Sequence, residues 1–266
     1  ARRELTTMKN FLDEEKSKKI TDLNNSEAAL QDYQQKGGII FLDDKARKLV
    51  DQISTFEAEK NATNVDVISK QRAYNEIKSE LEKIDKSLPN YIEGQLNQPY
   101  VDELQRKIAE IEIQKKLDAT IPADQKLIDK VNSEYDKKIA PLKKDYDERV
   151  KIIKTGILSN TPSEKSGLYQ KFIETGIDFQ TNKARLNSLN SLLSKYEIEF
   201  SKIPSQSIEL ARLERSRKSN EKLYLALEEK YQEALVNERA QLGNVNIVDK
   251  ALLPLKPSKP NRSLIL

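Results

Sequence analysis

The chain has 266 residues, of which 33% are charged and 37% hydrophobic, with seven glycines, nine prolines and no tryptophan. That is too little apolar volume for one compact core of this size, and too few turn formers for a strand-rich fold, so composition points to long helices. Cysteine and histidine are both absent, which excludes disulfides, thiolate nucleophiles, the commonest general base and the commonest metal ligands. The 46 basic and 43 acidic residues leave a net charge of +3 and are interspersed. This is the pattern of solvated helix faces, and no nucleic-acid partner is expected from it.

The first predicted helix runs from about Leu5 to Gln35, with Met8, Leu12, Ile20, Leu23 and Leu30 among its apolar positions. Gly37-Gly38 ends it. The next segment is the most regular. Leu42, Ala46, Leu49, Ile53 and Phe56 are spaced 4-3-4-3, and the phase continues through Val67, Tyr74, Ile77, Leu81 and Ile84. Lys60, Thr63 and Lys70 are its polar interruptions. Such a seam predicts a coiled-coil helix about 65 Å long, ended by Pro89.

Pro89, Gly94 and Pro99 predict a loop over 89–100, and a helix resumes at Val101. A break follows near Ile121-Pro122. From Val131 the apolar spacing becomes 4-4-3, through Tyr135, Ile139, Leu142, Tyr146, Val150 and Ile153. That is an eleven-residue repeat, which implies a straight or slightly right-handed supercoil. Pro141 lies inside it and is expected to kink or interrupt it. A loop is predicted over 155–163, and Thr161-Pro162-Ser163-Glu164 has the look of a helix start.

Leu186, Leu189, Leu193, Tyr196, Phe200 and Ile203 then keep 3-4 spacing until Pro204. Ser205 or Ser207 is positioned to cap the next helix. Its predicted seam is Leu210, Leu213, Arg217, Asn220, Tyr224, Leu227, Tyr231 and Ala234. Beyond Gly243, the segment 244–249 alternates polar and apolar, which predicts one short strand needing partners from elsewhere. Pro254, Pro257 and Pro260 recur every third residue, as in an extended left-handed helix. The start at Ala1 and the apolar end Leu264-Ile265-Leu266 give the expectation of a segment cut from a longer protein, its tail beginning a membrane span.

The predicted architecture is therefore mainly α: long extended antiparallel helices over 1–242, one strand in 243–253, and a proline-rich connector over 254–266. No catalytic residue, cofactor site or metal site is expected. Carboxylate pairs without a histidine or a cleft read as solvated faces, and Gly37-Gly38 lacks the Lys-Ser/Thr of a phosphate loop. These features suit a binding or spacing protein. The helical hairpin of a periplasmic export adaptor and a coiled-coil tether are the alternatives.

The C-terminal quarter carries a more specific signal. Ser207 to Arg215 reads SIELARLER, then come Asn220-Glu221-Lys222-Leu223-Tyr224, Gly243-Asn244-Val245 and the three prolines. This order resembles the bacterial polysaccharide co-polymerase family, which includes chain-length determinants and tyrosine-kinase-fused capsule exporters. Asn246 stands where the family's signature has an arginine. The resemblance implies a periplasmic domain between two inner-membrane helices that lie outside this chain. It also implies homo-oligomeric rings, and contact with a polysaccharide polymerase, an outer-membrane export channel or the nascent polysaccharide. The strand would join a small membrane-proximal α/β base. The residues marked by the resemblance are Leu210, Arg212, Leu213, Arg215, Tyr224, Gly243, Asn244, Val245, Pro254, Pro257 and Pro260.

Overall fold

The computed structural model describes residues 2–38, 41–119, 124–159 and 162–240. Among them the chain is all helical: α1 (Arg2–Gln35), α2 (Asp44–Glu82), α3 (Leu88–Leu96), α4 (Pro99–Ala119), α5 (Gln125–Leu158), α6 (Ser163–Phe200) and α7 (Ser205–Ala240). The predicted strand at 244–249 and the proline connector lie outside the described residues.

The helix ends follow local chemistry. At the end of α1, Gly37 takes φ of +79°, and the Gly38 N–H donates to the Tyr33 carbonyl at 3.1 Å. This six-to-one bond is the Schellman closure, which favours glycine at the left-handed position. Gly38 is needed for a second reason, since a Cβ there would lie 2.4 Å from the Tyr33 ring. Asp43 caps α2, accepting from the Ala46 N–H at 2.7 Å, and Asp124 caps α5 through the Lys126 N–H at 3.0 Å. Pro204 separates α6 from α7 as expected, and its carbonyl accepts from Ser207 and Ile208.

The six long helices fold back beside one another in the order α1, α7, α2, α6, α4, α5. Cross-helix pairs fix their directions. Lys16 meets Glu228 and Asn220 meets Asp22, so α1 and α7 are antiparallel. Asp51 meets Lys218 and Asp66 meets Lys230, so α2 and α7 are parallel. Phe56 stacks near Tyr196 and Tyr74 on Phe172, so α2 and α6 are antiparallel. Gln105 meets Thr181, and Lys116 shares Glu59 with Arg185, so α4 runs parallel to α6; Glu112 meets Lys143 and Asp118 meets Tyr135, so α4 and α5 are antiparallel. The longest helix, α2, has 39 residues and spans about 58 Å.

Three apolar clusters run through this array. Ile53, Phe56, Leu117, Leu189 and Leu210 form one end. Ile77, Leu81, Ile92, Phe172 and Ile173 form the other. Leu12, Val65, Leu223 and Leu227 join α1, α7 and α2.

Several expectations are corrected. The 89–100 loop is mostly helix, because Pro89 sits in the first turn of α3, where a missing N–H costs nothing. Pro99 opens α4 for the same reason. Pro141 does not break α5, which continues through it. That proline is exposed, so water can hydrogen-bond the carbonyl freed one turn earlier. The predicted 155–163 loop is shortened, since α5 reaches Leu158, and α6 begins at Ser163, one residue after Pro162. The single seam of α2 is two faces. Leu42, Ala46, Ile53, Phe56, Ile77 and Leu81 are buried as predicted, and Val50, Ser54, Ala58, Ala62 and Val65 are buried as well. Packing between α6 and α7 requires both faces. Ile84 is 41% exposed, beyond the end of the helix.

Candidate functional site

The residues marked by the family resemblance that the structure describes all lie on α7, so the site is built outward from that helix. Leu210 is fully buried against α2, with Ala211 beside it. Leu213 and Tyr224 are only half-buried, and Leu223 takes the inward place that the predicted seam gave to Tyr224. The cause is that α7 packs between α1 and α2, which splits its apolar surface into two flanks. Gly243, Asn244, Val245, Pro254, Pro257 and Pro260 lie outside the described residues.

The two arginines of the motif have different surroundings. Arg212 is 65% exposed, and its nearest carboxylate, Glu209, is 3.8 Å away on its own helix. The Arg215 side chain is 17% exposed and joins three helices. It donates to Glu57 of α2 at 2.5 Å, and it makes a two-pronged contact with Glu197 of α6, one prong at 3.1 Å. Its guanidinium also lies 4.9 Å from the centre of the Phe200 ring. Burial opposes its charge, but the hydrogen bonds it donates to Glu57 and Glu197 outweigh this and raise its pKa.

A second clamp sits two residues along α2. Glu59 accepts from Arg185 of α6, through Nε at 3.2 Å, and from Lys116 of α4 at 3.0 Å. Burial penalises the Glu59 carboxylate, and these cations more than compensate, holding its pKa below the ordinary carboxylate value. Glu57 and Glu59 thus anchor α7, α6 and α4 to one turn of the central helix. The α2–α7 seam continues with Lys218 to Asp51 at 2.7 Å and Lys222 to Thr55 Oγ1 at 2.6 Å. Burial lowers the pKa of Lys222. Along α1, Lys9 pairs with Glu238 at 2.9 Å, and Lys16 lies 4.1 Å from the centre of the Tyr231 ring.

An open groove of about 340 Å³ lies beside the first clamp, bounded by Glu57, Arg212, Ser216 and Asn220. Its chemistry is hydrogen bonding and charge pairing. Among the described residues no cluster of acidic side chains has the makings of a metal site, and no helix is long and apolar enough to cross a membrane. Sequence reasoning singled out Arg215 but missed its partners Glu57 and Glu197, and it missed the Glu59 clamp entirely. The available signal was weak: Glu57 and Glu59 flank the seam of α2, where charges commonly bridge helices.

Residues 204–266 match the family model described as "G-rich domain on putative tyrosine kinase". The resemblance to the polysaccharide co-polymerase family is borne out. Over 111 residues the chain is 26% identical to the tyrosine-protein kinase ptk of Acinetobacter johnsonii. The match covers 39% of this chain and 15% of that kinase. No solved structure matches. The family domain therefore begins with α7 and the Arg215 clamp and continues beyond the described residues.

Proposed function

We propose that this chain is the non-catalytic periplasmic part of an inner-membrane polysaccharide co-polymerase. Copies of it assemble side by side through their helices, and the assembly sets the length or the export of a surface polysaccharide. The observation that carries this reading is the match of residues 204–266 to the domain family, whose described part is α7, a helix tied to the centre of the array. An up-and-down helical array without histidine or cysteine suits a spacer or a wall. Any kinase activity belongs to another part of the full protein.

The experiment is a pair of measurements on the full-length protein. Light scattering across a concentration series reads assembly, and gel analysis of cell-surface polysaccharide reads chain length. A discrete oligomer is expected, together with a length distribution that collapses when the gene is removed and returns on complementation. A monomer at all concentrations, with unchanged polysaccharide in the deletion strain, would overturn the reading.

A further inference from the structure

Midway along the array, α4, α5 and α6 meet around polar side chains. Gln105 of α4 is 5% exposed, and its Nε2 donates to the Tyr146 hydroxyl of α5 at 2.8 Å and to Thr181 Oγ1 of α6 at 3.0 Å. On α4 this junction falls between Val101 of one apolar cluster and Ile113 of the other. A buried amide costs stability unless it is bonded, and a network kept only to fix helix register closes on itself. This one does not close. Both Nε2 hydrogens are used, and no donor among the described residues reaches Gln105 Oε1. The Tyr146 and Thr181 hydroxyls accept from Gln105, and each keeps a hydrogen of its own to donate. Burial raises the pKa of Tyr146, so its hydroxyl stays protonated.

The unused valences belong to the lining of a cavity of about 350 Å³ between the three helices. Asp147 and Asn182 line it as well. Asn182 spends its amide nitrogen on the Asp178 carbonyl at 2.9 Å, which leaves its Oδ1 to accept. Asp147 has no ion pair or hydrogen bond among the described residues. Ile108 and Ala109 supply an apolar stretch of wall. The two cations of the lining are already closed: Lys143 pairs with Glu112 at 2.7 Å, and Arg185 donates to Glu59 through Nε at 3.2 Å.

We propose that this cavity binds one uncharged sugar ring. The proposal deepens the polysaccharide reading above, by naming where and how the chain would hold a unit of its polymer. A sugar hydroxyl donates and accepts at the same atom. It therefore matches a lining that offers acceptors at Gln105, Asn182 and Asp147 beside hydroxyl donors at Tyr146 and Thr181. The C–H face of the ring suits the Ile108 and Ala109 wall. An anionic ligand is disfavoured, because both cations are taken and Asp147 repels negative charge. The volume is at the small end of ligand pockets, which run from about 300 to 1,000 Å³, and it suits a single ring.

The test titrates the full chain with fluorescently labelled hexasaccharides of glucose, mannose, galactose and N-acetylglucosamine, and with hyaluronan fragments as the charged comparison. Anisotropy is read at low and high salt. Binding to at least one uncharged hexasaccharide is expected, tighter than to hyaluronan and changing less than about twofold with salt, since no ion pair is formed. Tyr146→Phe keeps the ring and removes the hydroxyl, and should lose about fivefold in affinity. Asp147→Ala changes an exposed residue and should lose about tenfold, as a charged hydrogen bond goes. Asn187→Ala, on α6 but in a separate groove, should stay within about twofold of the parent. Circular dichroism confirms that each variant is folded. Unlabelled monosaccharide that competes as well as the hexasaccharide assigns the site to free sugar, and competition by the hexasaccharide alone assigns it to a unit of a chain.

The proposal is overturned if no uncharged saccharide binds, if hyaluronan binds more tightly than all of them, or if Asn187→Ala loses as much as Tyr146→Phe and Asp147→Ala. The deletion strain separates this from the reading above. If its polysaccharide changes while the chain binds no sugar, the co-polymerase reading stands and the site falls. If the cavity binds sugar while the deletion leaves the polysaccharide unchanged, the site stands and that reading fails.

Discussion

Replacing Arg215 with methionine keeps most of the apolar stem and removes the guanidinium from the junction of α2, α6 and α7. Three charged hydrogen bonds disappear, one to Glu57 and two to Glu197. Bonds of this kind are each worth about 1.5–3 kcal/mol when shielded. Glu197 is 50% exposed, so its share is screened to about 1 kcal/mol or less. Glu57 is 24% exposed and keeps more of its value, and the Phe200 ring adds about 0.5 kcal/mol. The sum is a loss of about 2–3 kcal/mol, which moves a urea midpoint by about 1 M for a typical denaturant slope. Arg212→Met, three residues earlier in the same motif, removes an exposed pair and should cost at most about 0.5 kcal/mol. The assay is urea unfolding followed by circular dichroism and by tyrosine fluorescence, since the chain has ten tyrosines and no tryptophan. Pairing Arg215→Met with Glu57→Gln in a double-mutant cycle should give a coupling of about 1–2 kcal/mol. Midpoints for Arg215→Met and Arg212→Met that coincide would refute the clamp.

Phe172 is fully buried, with its ring 4.6 Å from that of Tyr74, so Phe172→Ala should cost about 3–5 kcal/mol in the same unfolding assay. Gly37→Ala forces a side chain into the left-handed region and should cost about 1 kcal/mol. Gly38→Ala meets the Tyr33 ring, so Tyr33→Ala should recover part of its loss, and an absence of coupling between the two would contradict the contact. Glu59 has a folded pKa below its unfolded value. Its contribution is therefore complete above the usual glutamate pKa of about 4.3 and is lost as pH falls through the lowered folded value. The stability gap between the parent and Glu59→Gln should accordingly be largest near neutral pH and close as pH drops below about 4, and a gap independent of pH would sink the assignment.

The sequence by itself determined the helices and most of their ends. Apolar spacing near 3.6 residues, the paired glycines at 37 and 38, and Pro204 are constraints that a few neighbouring residues impose on their own backbone. The same local logic misjudged Pro89, Pro99 and Pro141, because a proline interrupts a helix only where its missing N–H is needed or its freed carbonyl has no water. Leu210, Leu227 and Ala234 were legible as inward-facing, whereas Tyr224 was not separable from Leu223. Only the neighbours of α7 on two sides settle which of these adjacent residues points in. The tertiary structure alone decided that α2 and α7 run parallel and that Glu57 and Glu59 clamp three other helices. Those outcomes depend on residues more than a hundred positions apart meeting across the array, and on which charges find partners there. A one-dimensional pattern of mixed charge holds no record of that pairing.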